Sequence, residues 1–135
     1  MTDLSGFIKI TEFILQMETC SEANSNEHWR KKAARHRLQK QHVKLASFYI
    51  PKELPIHIKL TRISRKMLDK HDNLPCSLKY ILDAVCEQIT GNLVPGQADN
   101  DPRLSFEYAQ EKGSLPKVRF EFFRKNDTSN ETPKQ

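Results

Sequence analysis

The sequence predicts a compact α/β (α+β) domain, a mixed sheet covered by two helices in the order β-α-β-α-β-β. Three observations lead there. Apolar residues recur with a period of two in several short stretches, which suits half-buried strands. In one long stretch, Leu74, Leu78, Ile81, Leu82, Val85 and Ile89 recur at spacings of three and four, which suits an amphipathic helix. And 135 residues, 37% of them hydrophobic, suffice for one core but not for two.

Phe7 to Met17, rich in β-branched and aromatic residues, reads as the first strand. Polar residues 18–26 form a loop, and from about Glu27 to Phe48 the absence of Gly and Pro predicts a long helix. Its apolar stripe would be Ala33, Ala34, Leu38 and Leu45, with Trp29 as a core anchor. After Pro51 and Pro55, Leu54, Ile56, Ile58 and Leu60 alternate with polar residues, so His57 falls on the polar side of a second strand. The second helix follows Asp72 and Asn73; Pro75 is tolerated in its first turn and Gly91 ends it. Leu104, Phe106 and Tyr108, then Val118, Phe120 and Phe122, mark two more strands, and the intervening Gln110-Glu111-Lys112-Gly113-Ser114 suggests an antiparallel hairpin. Residues 1–124 thus form one domain, and 125–135 a flexible polar tail.

The formal charge of +5 favours a polyanionic partner. No apolar run approaches the roughly 20 residues needed to span a bilayer, and the N-terminus does not resemble a secretory signal, so no membrane partner is expected and the location would be cytoplasmic. Cys20, Cys76 and Cys86 form no Cys-x-x-Cys pair and read as simple thiols. No glycine-rich phosphate loop is present, so no nucleotide cofactor is expected.

Two carboxylate groupings carry chemistry. On an ideal helix Asp72, Lys79 and Asp83 fall within about 20° of a common line, opposite the apolar stripe. A plain exposed face with a Lys79–Asp83 ion pair would account for this equally. Asp99-Asn100-Asp101, before the third strand, places two acids one residue apart; such oxygen-rich clusters suit magnesium or manganese, though they also occur in ordinary turns. With Asp69, these acids could hold one or two ions. Arg30, Lys31, Lys32, Arg35, Arg37, Lys40 and Lys44 of the first helix, unrelieved by any acid, would bind DNA phosphates. Metal-activated attack of water on a phosphodiester needs this division of labour, with Lys79 stabilising charge at the phosphate.

The stretch Leu68-Asp69-Lys70-His71-Asp72-Asn73-Leu74, with Leu78-Lys79 and Leu82-Asp83-Ala84, resembles the central motif of RusA-like Holliday junction resolvases of bacteria and their phages. Asp99-Asn100-Asp101-Pro102-Arg103-Leu104 resembles their second acidic motif, and residues 18–24 with Glu27-His28-Trp29 resemble the N-terminal segment of a phage-type branch. The similarity spans about residues 13–123 and includes Tyr108-Ala109-Gln110-Glu111-Lys112-Gly113. It implies a homodimeric, magnesium-dependent endonuclease that resolves four-way DNA junctions in recombination and repair, in a bacterial or phage-infected cell. Asp72 and Asp101 would be the principal ligands, with Asp69 or Asp99 completing the set. Lys79 would act at the phosphate, and Asp83 and Asn73 would support it. The usual pattern has Asp-x-Asp-Asn; here Lys70 stands at the first position, Asp69 lies one residue earlier, and three extra residues precede Lys79. The alternatives are a catalytically inactive DNA-binding protein of the same fold and an RNA- or protein-binding module.

Overall fold

The computed structural model describes residues 6–20, 28–70, 73–91 and 101–125. They form β1 (Phe7–Gln16), α1 (Trp29–Leu45), β2 (Ile56–Ser64), α2 (Asn73–Thr90), β3 (Leu104–Lys112) and β4 (Lys117–Lys125). This is the expected β-α-β-α-β-β order, with a mixed four-stranded sheet. α1 ends before Phe48: the Ala46 amide donates to the carbonyls of both His42 and Val43, and a single 3-10 turn, Ser47–Tyr49, leads into Pro51. The tail from residue 126 lies outside the described residues.

The sheet order is β1-β4-β2-β3, and this corrects the expected hairpin. β3 and β4 do not pair; β2 lies between them, parallel to β3 and antiparallel to β4. Gln110, Glu111 and Lys112 belong to β3 rather than to a turn. The physical reason is burial. Val118, Phe120 and Phe122 are fully buried and need apolar neighbours on both sides. β2 sets Leu60 and Ile58 beside Phe120 and Phe122, while Phe13 of β1 stacks on both rings at 4.8 and 5.8 Å. The link to β4 therefore steps over the end of β2, where the Gly113 amide donates to the Ser64 carbonyl at 3.0 Å.

β1 and β2 are each antiparallel to β4, so β1, β2 and β3 all run one way. Each helix returns the chain, and α1 and α2 therefore lie parallel on the same face. His36 stacks on Tyr80 at 3.6 Å, and further along both helices Lys40 pairs with Glu87 at 3.1 Å. Leu74, Leu78, Ile81, Leu82, Val85 and Ile89 are all buried, so the α2 stripe faces the sheet as its periodicity requires. α1 does otherwise: Gln39 and Val43 are its buried residues, whereas Leu38 and Leu45 are 54% and 83% exposed. Its expected stripe is corrected because α1 packs mainly beside α2 and turns Gln39 and Val43 inward, while its flanks remain in solvent.

The opposite sheet face carries ion pairs, Lys9 with Glu121 and Arg119 with Glu111, both at 2.8 Å. His57 points to this face, as expected, and is buried there. Phe7 and Phe123 flank its ring, and its nitrogens contact the Ser105 hydroxyl at 2.7 Å and the Glu107 carboxylate at 2.9 Å. Among the described residues no helix is long and apolar enough to cross a membrane.

Candidate functional site

Three strands of one direction bring three chain exits to a single sheet edge: residues 17–20 after β1, 65–70 after β2, and 113–116 after β3. The first turns of α1 and α2 lie level with each other, because the helices are parallel and Trp29 and Asn73, their first residues, each stand seven positions before the stacked pair His36 and Tyr80. Positions where strands hand over to helices are the usual place for functional groups in folds with parallel strands.

Asp69 sits here, exposed, and its backbone is fixed from both sides. Its carbonyl accepts the Leu74 amide of α2 at 2.8 Å. The preceding peptide is clamped by one side chain: Gln110 of β3 accepts from the Leu68 amide at 2.8 Å and donates to the Leu68 carbonyl at 2.6 Å. A second tie comes from buried Arg62. Its Nε donates to Thr19 Oγ1 at 2.9 Å and its Nη1 to the Lys66 carbonyl at 2.7 Å, joining the exits of β1 and β2. Burial holds the Arg62 pKa below its ordinary value, with Cys20 acting in the opposite sense. Arg65, Lys66 and Lys70 are exposed on the loop that carries Asp69. The edge thus joins a carboxylate to a positive surround, a suitable setting for a phosphodiester.

Asp101 lies at the other end of the sheet. Its carbonyl accepts the Leu104 amide at 3.0 Å, and Leu104 pairs with Ile56 at the start of β2. Gln110, which marks the position of Leu68, is six residues further along β3, about 20 Å at strand rise. Two carboxylates sharing a magnesium ion place their oxygens no more than about 4 Å apart, since each bonds at about 2.1 Å. Asp69 and Asp101 of one chain therefore do not share an ion, which corrects the expected ligand set. The Asp101 carboxylate instead holds Arg103, with Arg103 Nη2 at 2.8 Å and Nε at 3.0 Å, and accepts the Arg103 amide at 2.9 Å. These bonds lower its pKa to about 2. Asp72 and Asp99 lie outside the described residues. Among the described residues no three His, Cys, Asp or Glu side chains converge on a possible metal position. Lys79 and Asp83 form an ion pair at 3.2 Å on the open side of α2, and Asn73 is its first residue.

The cations of α1 divide by direction. Arg30, Arg37 and Lys44 follow one another at seven-residue intervals, a nearly straight exposed ridge with a step of about 10.5 Å. Lys31 and Arg35 instead line a cleft of about 540 Å³ between α1 and the end of β1, with Met17, Ala34, Leu38 and His42. Lys32 is half-buried, and Lys40 is occupied by Glu87. Trp29 is corrected outright: it is 67% exposed, not a core anchor, because it opens α1 beyond the edge of the sheet.

Arg62 and Gln110 escape a reading by motif. Arg62 had a visible signal, since it follows Ile58 and Leu60 in phase on the apolar side of β2, where a charge calls for a special partner. Gln110 had none, because its partner is the backbone of Leu68, 42 residues away. No family model and no curated protein matches the chain.

Proposed function

We propose that this protein is a magnesium-dependent endonuclease of branched DNA, acting on four-way junctions, with its ion held at the entry to α2 by Asp69 and Asp72. The observation that carries the proposal is the parallel course of α1 and α2. It sets Arg30, in the first turn of α1, level with the first turn of α2, beside which Asp69 stands. Carboxylate ligands and phosphate-binding cations then meet at one place. Held by Asp69 and Asp72, magnesium or manganese would supply an activated water and would offset charge on the departing oxygen. Arg65, Lys66, Lys70 and the α1 ridge hold the flanking phosphates. Lys79 serves the phosphate only after exchanging its partner Asp83. A homodimer would present two such edges to opposing strands, as paired incision requires. The setting is the cytoplasm of a bacterial or phage-infected cell, where recombination and repair produce junctions.

A DNA-binding protein without catalysis is the second reading. It is favoured by the position of Asp101, closed on Arg103 at the far end of the sheet. A synthetic four-way junction titrated with magnesium and manganese, with linear duplex as control, separates the two. The nuclease reading expects junction cleavage that Asp72→Asn and Asp69→Asn abolish while binding persists, and that Asp101→Asn leaves in place. Tight junction binding without incision at any metal concentration decides for the binding protein.

A further inference from the structure

The sole tryptophan of the chain, Trp29, is one of the largest apolar surfaces left in solvent, 67% exposed at the first position of α1. Single apolar side chains in solvent are ordinary, so exposure by itself names no occupant for this ring. Its surroundings indicate one. The Arg30 guanidinium lies over the indole at 5.2 Å from the ring centre, and His28 stacks on it at 5.6 Å. The His28 ring is itself fixed, since its Nδ1 accepts the Arg30 amide at 3.1 Å.

Direction adds a second constraint. Trp29 is seven residues before His36, within about 20° of the same stripe of α1. His36 stacks on Tyr80, and Asn73 is seven residues before Tyr80 on the parallel α2. Trp29 therefore stands on the α2 side of α1, toward the α2 entry that carries Asp69.

We infer that Trp29 is a stacking platform for an unpaired nucleobase of the bound DNA, with Arg30 neutralising the adjoining phosphate. A flat π-surface beside cations suits a base joined to a phosphate, and stacking accepts any base. A duplex offers no free base face except at an opening, so the platform favours branch points and single strands over paired DNA. The inference rests on the DNA-binding part of the proposed function, not on cleavage.

Because the chain has one tryptophan, its emission reports on this ring alone. The test titrates the full chain with labelled oligothymidylate, with an abasic strand of equal length and with blunt duplex, reading label anisotropy and tryptophan emission together. Saturable quenching by oligothymidylate, much weaker quenching by the abasic strand, and an affinity for oligothymidylate lowered about 5- to 150-fold in Trp29→Ala but only partly in Trp29→Phe are expected. Binding by anisotropy with unchanged emission, or equal quenching by the abasic strand, overturns the platform and leaves the basic ridge as the DNA contact. Absence of binding to all three strands and to a four-way junction overturns both the platform and the DNA reading.

Discussion

Asp101 and Gly113 both take their roles from a single neighbour. The Asp101 carboxylate is fixed by Arg103 two residues on, and its pKa falls to about 2 from the ordinary 3.8. A carboxyl with a lowered folded pKa contributes stability that is complete above its unfolded pKa and is lost as pH falls through the folded one. The stability difference between the native chain and Asp101→Asn should therefore be constant above about pH 5 and shrink from pH 4 toward pH 2. Chemical denaturation of both at several pH values measures it, and a difference that grows on acidification would contradict the pair. At Gly113 the constraint is space: a Cβ there would lie 2.5 Å from Ile63 Cγ2. Gly113→Ala should cost about 1–3 kcal/mol, as overpacking does. Ile63→Ala in the same chain should recover part of that cost, a coupling that a double-mutant cycle resolves.

The two helices differ in how far their sequences disclose them. α2 carries a continuous apolar stripe, and its burial, its early Pro75 and its end at Gly91, where φ is +74°, all follow from local chemistry. α1 lacks such a stripe, so its length was legible and its orientation was not. Gln39 is buried in it because its amide donates to the Glu18 carbonyl at 2.8 Å, a partner no periodicity reveals. The exposed ridge of Arg30, Arg37 and Lys44 is the part of α1 that acts on DNA in the proposed function. Replacing all three with Gln should weaken junction and duplex binding alike and flatten the log–log salt dependence by about two to three units, at about 0.9 for each phosphate no longer neutralised. An unchanged salt slope would move the phosphate contacts to another surface.

Across the whole molecule, long-range ties set the candidate edge. Gln110 reaches from β3 to the peptide of Leu68 and so fixes the loop bearing Asp69. Gln110→Ala leaves two backbone groups of a partly buried peptide without that partner, at a cost of about 1–3 kcal/mol. The Leu68 amide should then exchange with deuterium markedly faster, while amides of the central strand β4 remain protected; if Leu68 exchanges as before, the clamp is not what holds the loop. The elements were legible in the sequence, whereas the position of Asp69 and Asp101 at opposite ends of the sheet was not. Asp69 and Asp101 lie close to the same pair of strands in sequence, but a parallel pair joined by a helix sends its two loops to opposite edges.

By itself the sequence determined the four strands, the two helices, the apolar face of α2 and the basic character of α1, because each follows from a period or a composition contained within one segment. Only the tertiary structure decided that β2 separates β3 from β4, that Asp101 stands apart from Asp69, and that Trp29 is exposed beside the entry to α2. Those outcomes depend on which segments exclude water from one another across the sheet, and the same local patterns are compatible with several such pairings.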